Sequence, residues 1–378
     1  MDQGEDILKM MMEKLKRAYC FYMGPKWERQ GISWKRMALL RKRMREADRD
    51  CPLPKKQKKW AMKRGFFPYR MWQYNLSESN YRTIISDWDY AYLYPLNNKY
   101  RDLVINKLTA WYVLRPFSQY MPRHFFHLMK DRDVMRLCDC PEEFDASVDG
   151  ILRLIRKQGS VAIKKTDGSH GVGFYCVKAD GNDFEANGKH YTESAFRDFL
   201  KGLDDYIITE YIKQHPMMEK LNPHSVNTIR LTVVNEHGND PMIPFAFLRV
   251  GTKKSGATDN VGAGGMVCKI DVKTGRFYDG EVLHDHVFSK APVHPDTNEK
   301  MEGVIPNWDA VMDGVLDVCR YLPQLEWLGF DIAITPESFS IVEINTMQDM
   351  QKAHEYPEEI KGYLFRKLKS KKAAHGRK

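Results

Sequence analysis

The chain has 378 residues, of which 43% are hydrophobic and 29% charged, with seven cysteines and a net charge of +9. That length supports two or three domains around sizeable cores, and the composition is that of a globular protein. No run of eighteen apolar residues is present, which excludes a membrane-spanning helix, and the charged N-terminal stretch MDQGEDILKMMMEKLKRAYC lacks the apolar core of a secretory signal, so a cytoplasmic location is expected.

The first zone, residues 1–90, reads as basic and mainly helical. Ile7, Met10, Met11, Leu15 and Tyr19 recur at helical spacing within residues 5–23. Residues 33–50 read as a second helix, stopped by CPLP with its two prolines. Between Lys26 and Arg64 there are fifteen Lys/Arg against four Asp/Glu. Such an excess attracts anions: an acidic polymer or an anionic membrane surface at the inner face of the membrane. No nucleic-acid-binding motif accompanies it, which argues against a specific nucleic-acid role. FFPYRMWQYN is rich in aromatics and reads as a packing surface. Of the scattered cysteines only Cys138 and Cys140 lie close together. Without a second pair or histidines at ligand spacing they read as reduced thiols, not as a zinc site.

Residues 91–158 mix short strands and helices. Lys107 lies in an apolar surround, and residues 145–158 form an amphipathic helix with Val148, Ile151, Leu152 and Ile155 on one face. From Gly159 the pattern changes to short apolar runs between turns: SVAIKK, VGFYCVK, YIITEYI, TIRLTVV, IPFAFLRV, MVCKIDV, GFDIAIT and FSIVEIN. These are strands, with helices over 192–203 and 308–321, and the fold class is α+β with largely antiparallel sheets. The tail KLKSKKAAHGRK reads as disordered.

Three stretches carry chemistry. In VAIKKTDGSHGVGFYCV a strand bearing Lys164 and Lys165 enters a loop with Gly168, Gly171 and Gly173, then a second strand; glycines let backbone N–H groups approach a phosphate closely. No helix and no GK[ST] follow, so this is a hairpin flap and not a Walker loop. In YIITEYIKQ the strand ends at Glu210, Tyr211 and Ile212, where backbone groups and a carboxylate could receive an adenine. In GFDIAITPESFSIVEIN a hairpin carries Asp331 on one strand and Glu343 and Asn345 on the other. Side chains two apart on a strand share a face, and Asp331 can lie opposite them. Oxygen donors without sulfur or imidazole suit Mg²⁺, with Mn²⁺ as the alternative; ion pairing to Arg or Lys is the structural alternative. Arg230 and Arg249 lie in apolar strands and need anionic partners: a phosphate, a substrate carboxylate or an internal acid. Asp259, Asn260, Gly264 and Gly265 form a polar loop of the kind that sits over a reacting centre. His170, in the flap, reads as a solvent-exposed loop residue.

In this order the elements resemble the ATP-grasp superfamily over roughly residues 100–350. SVNTIRLTVV, FLRVG and DNVGAGGMVCKID look like its sugar-transfer-associated group, which is often linked to cell-surface polysaccharide synthesis. The resemblance implies two α+β subdomains gripping ATP. Residues 91–158 would precede the grasp domain at 159–350, which divides into a flap and hinge part (159–213) and a metal and substrate part (214–350), with 351–378 a basic tail. It implies that Lys107 contacts ATP, that Lys164 or Lys165 reaches its phosphates, and that the loop Gly168, Ser169, Gly171 and Gly173 covers them. Glu210, Ile212 and Lys213 would hold adenine and ribose, and Asp331, Glu343 and Asn345 would hold magnesium. Arg230, Arg249 and Asn260 would face the γ-phosphate and the acceptor. Lys165 stands where many members have proline, which leaves open which of the two lysines reaches the phosphates. The implied reaction is a carboxylate–amine ligation through an acyl phosphate, joining an amino acid or other small amine to an acidic sugar or polysaccharide precursor. A kinase on the same fold and a non-catalytic nucleotide-binding protein at a membrane surface are the alternatives.

Overall fold

The computed structural model describes residues 32–130, 133–168 and 171–376. The helix expected within residues 5–23, and Ser169 and His170 of the flap, lie outside them. The described residues form two compact units: those up to Lys99 together with those from Met347 on, and residues 100–346.

In the first unit helix α1 (Trp34–Asp50) starts where Ser33 accepts a hydrogen bond from the Arg36 N–H, an N-cap that satisfies one of the orphan donors of the first turn. Met37, Leu40 and Met44 recur every three to four residues and are buried with Ile32 and Ala91. Helix α2 (Lys55–Lys63) follows the CPLP break, and α3 (Asp87–Leu93) is capped by Ser86. The aromatic stretch is partly core: Phe66 and Tyr74 are buried, Phe67 and Tyr69 half-buried and Trp72 exposed, and Arg70 pairs at 2.9 Å with buried Asp87. The tail departs from expectation. It continues a helix, Glu358–Gly376, that packs against α3. Ile360, Tyr363, Leu364 and Leu368, spaced three and four apart, are buried, and Lys371 donates to the carbonyls of Leu93 (3.4 Å) and Tyr94 (3.1 Å) at the end of α3. Burial pushes the Lys371 ammonium down to about 8. The lysines favour disorder, but burial of this apolar stripe outweighs them and keeps the segment helical.

The second unit holds two antiparallel sheets. The first orders its strands β2-β1-β7-β3-β4-β5-β6, with β1 His124–Leu128, β2 Met135–Arg136, β3 Ser160–Lys165, β4 Tyr175–Asp180, β5 Asp183–Ala186, β6 Lys189–Tyr191 and β7 Tyr206–Glu210. Helix α4 (Lys107–Val113) precedes it, and α5 (Val148–Gln158) and α6 (Glu193–Lys201) pack on it through Ile151, Ile155, Phe196 and Leu200 against Val161, Ile163, Val177 and Ile208. Helix α5 begins later than residue 145 because Ser147 caps it, accepting from the Gly150 N–H at 3.0 Å.

The second sheet runs β12-β11-β10-β9-β8-β14-β15, with β13 on β11. Its strands are β8 Thr228–Val234, β9 Met242–Val250, β10 Met266–Ile270, β11 Arg276–His284, β12 Val287–Lys290, β13 Gly303–Val304, β14 Trp327–Ile334 and β15 Phe339–Asn345. Alternation sorts each strand into two faces. Ile229, Leu231 and Val233 of β8 and Leu328, Phe330, Ile332 and Ile334 of β14 share a core with Val311, Val315 and Val318 of helix α7 (Trp308–Tyr321). The opposite face therefore receives Thr228, Arg230 and Thr232 from β8, and Gly329, Asp331 and Ala333 from β14. On β15 the register shifts between the Asp331↔Glu343 and Ile332↔Ile341 pairs, so Val342 is an extra residue. That bulge lets Ile341 and Ile344, three apart, both enter the core while Glu343 and Asn345 stay on the polar face.

Leu364→Ala is expected to lower the unfolding free energy by about 2–5 kcal/mol, read from a denaturant titration. A change under about 0.5 kcal/mol, typical of a surface site, would mean that the C-terminal helix is not packed.

Candidate active site

Strand register assembles a row of side chains across five strands on the polar face. Lys269 of β10 is opposite Phe247 of β9, Phe247 is opposite Arg230, Arg230 is opposite Asp331, and Asp331 is opposite Glu343. Directly opposed residues project to one side, so these groups meet. Arg230 donates to Asp331 through Nε (2.5 Å) and Nη2 (3.0 Å), and Arg249 Nη2 lies 3.1 Å from the second carboxylate oxygen. Asn345 Nδ2 reaches that same oxygen at 3.4 Å. Asp331 is 3% exposed. Burial alone would raise its pKa; the two guanidinium groups outweigh burial and hold it below the ordinary aspartate range. Asp259 is buried beside Arg249, with Arg249 Nε 3.4 Å from Oδ2, and it accepts the Thr228 N–H at 2.9 Å. Here burial wins over Arg249, and the pKa is raised.

The second cluster joins the two sheets. The Lys107 N–H, at the start of α4, donates to the Thr166 carbonyl just after β3 (2.8 Å). Asn106 caps that helix through the Leu108 and Thr109 N–H groups, both at 3.0 Å, which fixes where Lys107 stands. Lys107 Nζ then donates to the Gly168 carbonyl of the flap (2.5 Å) and to Glu343 of β15 (3.3 Å). The flap and the Asp331–Glu343–Asn345 hairpin thus meet through one ammonium group. Lys164 lines a cavity of about 20 Å³ with Lys107, His124 and Glu343, room for about one water. Burial first, then the charge of Lys107, push the Lys164 ammonium down to about 8, against the opposing pull of Glu343. Lys165 is exposed and faces the other way, its Nζ 5.8 Å from the Tyr206 ring centre. Strand alternation thus separates the two lysines, and Lys164 is the one beside Glu343.

The flap glycines are required by space as well as by conformation. Gly173 (φ +74°) has no room for a Cβ, which would lie 2.6 Å from the Tyr206 hydroxyl, and a Cβ on Gly171 (φ +74°) would lie 2.7 Å from Thr258 Cγ2. The second contact lays the flap against the loop that carries Asp259 and Asn260. Asn260 accepts from the Gly262 N–H (2.9 Å) and so shapes that loop. Glu210, at the end of β7, pairs with Arg123 at 3.0 Å; Ile212 beyond it is half-buried and Lys213 exposed.

Three contributors escaped the sequence reading: Thr228, His124 and Arg123. Thr228 accepts from Arg249 Nε (3.1 Å) and Nη2 (2.6 Å), and its own hydroxyl donates to Asp259. His124 Nδ1 is 2.8 Å from the Pro122 carbonyl, and burial and Lys164 lower its pKa to about 3, so its ring is neutral at physiological pH. Periodicity marks all three as ordinary strand or loop residues; only register shows what they touch.

The donor set fits Mg²⁺ in chemistry, since it is made of oxygens alone. Glu343 has one carboxylate oxygen on Lys107 and Asn345 keeps its Oδ1, whereas both oxygens of Asp331 are held by arginines. Among the described residues no group of three or more His, Cys, Asp and Glu could hold a metal ion.

Asp331→Ala would leave two arginines without their counter-charge and is expected to cost about 3–5 kcal/mol. Because the folded-state pKa of Asp331 is depressed, its contribution is complete above the ordinary aspartate range and is lost as pH falls through the lower folded value. Unfolding free energies of wild type and Asp331→Asn measured against pH should therefore converge only at the acid end. A gap that stayed constant into acid would contradict the ion pairing.

A profile of the family described as sugar-transfer associated ATP-grasp matches residues 123–355, more than half of the chain. A search of curated proteins finds no match. Similar solved structures include D-alanine–D-alanine ligase from Bacillus anthracis (13% identity, TM-score 0.37, covering 73% of this chain and 70% of that one). The ATP-grasp ligase PsnB with a minimal precursor is another (12%, 0.38, 72% and 63%), as is D-alanyl-alanine synthetase A from Vibrio cholerae (10%, 0.41, 71% and 65%). This chain spans less than two thirds of the length of the latter two. No helix of the described residues is long and apolar enough to cross a membrane. By the extent of the profile match the chain belongs to the sugar-transfer associated ATP-grasp family.

Proposed function

We propose that the chain is an ATP- and Mg²⁺-dependent carboxylate–amine ligase acting through an acyl phosphate. The observation that carries this reading is the meeting of Lys107, Lys164, Arg230 and Arg249 with Glu343 and Asn345 beneath a glycine flap. A substrate carboxylate oxygen attacks the γ-phosphorus and ADP leaves. An amine then attacks the acyl carbon, phosphate leaves, and the amine proton passes to solvent. The residues bind and orient more than they transfer protons, which fits a site whose one buried histidine is neutral. Lys107 and Lys164 would face the phosphates, and the Glu210–Ile212 segment the adenine. Glu343 and Asn345 would hold Mg²⁺, with Asp331 behind them. When bound, that ion would neutralise phosphate charge as it builds up in the transition state. Arg249 would stabilise the transferring phosphoryl group, and Arg230, held on Asp331, would act on it and the acceptor through its charge.

The proposed substrates are a small amine or amino acid and an acidic sugar or polysaccharide precursor. The first unit supplies a candidate surface for anionic partners. Lys55, Lys59 and Lys63 lie four apart on α2 and are all exposed, as are Lys35, Lys42 and Arg49, seven apart on α1. An anionic lipid surface fits such rows, with attraction decaying over a Debye length of about 8 Å at physiological salt.

Three tests follow from this reading. Incubation with ATP, amines and sugar acids should yield an amide with ADP and phosphate; a phosphorylated acceptor instead would make the enzyme a kinase. Lys164→Met should weaken MgATP binding about tenfold or more, since a hydrogen bond to a charged group contributes roughly 1.5–3 kcal/mol, while Lys165→Ala changes it little. Calorimetry showing equal losses would contradict the assignment of Lys164. Binding to phosphatidylglycerol vesicles should fall steeply with salt and in a Lys55→Glu, Lys59→Glu, Lys63→Glu variant, and salt-insensitive binding would count against the basic rows.

A further inference from the structure

The orientation of Arg249 is set by a relay. Its Nε and Nη2 are both committed. Nε donates to Thr228 Oγ1 at 3.1 Å, and Nη2 donates to the same oxygen at 2.6 Å and lies 3.1 Å from Asp331. Nη1, which carries two N–H donors, bonds to none of the described residues. The Thr228 hydroxyl accepts from Arg249 through its lone pairs and gives its own hydrogen to Asp259, which also holds the Thr228 N–H at 2.9 Å and lies 3.4 Å from Arg249 Nε. Asp259 thus fixes the hydroxyl, and the hydroxyl fixes the guanidinium plane. The free edge of that plane lies on the same face as Asp331 and Glu343, and Glu343 meets the flap through Lys107. Thr258, next to Asp259, is the residue against which flap Gly171 packs. Arg249 therefore stands at the flap end of the site, away from the Glu210 end of β7.

From this we infer that Asp259, through the Thr228 hydroxyl, is a positioning residue that aims Nη1 of Arg249 at the terminal phosphate. The nucleotide preference this creates is for a triphosphate over a diphosphate. The inference rests on the nucleotide reading of the site and goes beyond it by assigning the aim of Arg249 to Asp259 and Thr228. A guanidinium free to rotate would still carry its charge. What it would lose is the fixed direction of two charge-assisted hydrogen bonds.

The test compares binding of MgADP and of the magnesium complex of the imido analogue of ATP (AMP-PNP) by calorimetry on the full chain. Wild type should favour the triphosphate analogue by about tenfold or more, the discrimination expected of a hydrogen bond to a charged group. Thr228→Val keeps the branched shape and the backbone N–H but removes the relay. It should reduce the preference to within about threefold of unity with MgADP affinity unchanged. Thr228→Ser, which keeps the hydroxyl, should restore the preference. Asp259→Val, which removes the acceptor oxygens, gives a second route to the same loss should Thr228→Val fold poorly. In an Arg249→Lys background Thr228→Val should add nothing. A Thr228→Val protein with the wild-type preference overturns the relay while leaving the nucleotide site intact. Wild type that binds neither compound overturns the nucleotide reading itself, and this inference with it.

Discussion

The second unit is organised by one constraint: Asp331, Arg230 and Arg249 are charged groups on strands whose other face is fully apolar. A buried ion of this kind is tolerated only when its partners sit at hydrogen-bond distance, because removing a charge from water costs several kcal/mol. The constraint is met by register. Arg230 and Asp331 are directly opposed on β8 and β14, and Arg249 is opposed to Thr228 on β9. A slip of one residue between β8 and β14 would send Arg230 or Asp331 into the core that packs against α7. The ion network and the hydrophobic core therefore specify the same alignment. The polar face is in that sense the complement of the core, and the bulge at Val342 extends the agreement to β15.

Much of this was legible in the sequence. Strand β15 and helix α7 appear with the bounds that their apolar patterns gave, and the flap hairpin and the Asp331–Glu343 pairing follow from turn position and the period of two. What stayed hidden is what depends on partners distant in sequence. Arg230 and Asp331 are 101 residues apart, and nothing local distinguishes an arginine awaiting phosphate from one already paired with an aspartate. Both alternatives were open, and the ion-paired one is what the structure contains. The choice between Lys164 and Lys165 was likewise undecidable from charge, yet it follows once β3 is placed between β4 and β7 and alternation is applied. The C-terminal helix is a different kind of miss. Its signal, Ile360, Tyr363, Leu364 and Leu368, lies in the sequence at helical spacing, and the run of lysines beyond it drew the weight.

Charge pairing also shapes how a nucleotide would meet this face. Lys107, Lys164, Arg230 and Arg249 face Asp259, Asp331 and Glu343, so most of the positive charge is already answered from within. Arg230 is consumed by Asp331, and Lys107 is shared between a carboxylate and a carbonyl. The groups with least internal compensation are Lys164, whose ammonium is depressed by burial and by a neighbouring lysine, and the outer edge of Arg249. A triphosphate entering beneath the flap would gain most from those two, because they trade water for an anion without first breaking an internal ion pair. Lys107 has one N–H beyond those given to Glu343 and the Gly168 carbonyl, and a divalent cation on Glu343 would free a second by taking over the carboxylate's charge. A metal ion and the phosphates would therefore bind better together than apart, since each would release a ligand of the other from the Lys107–Glu343 pair.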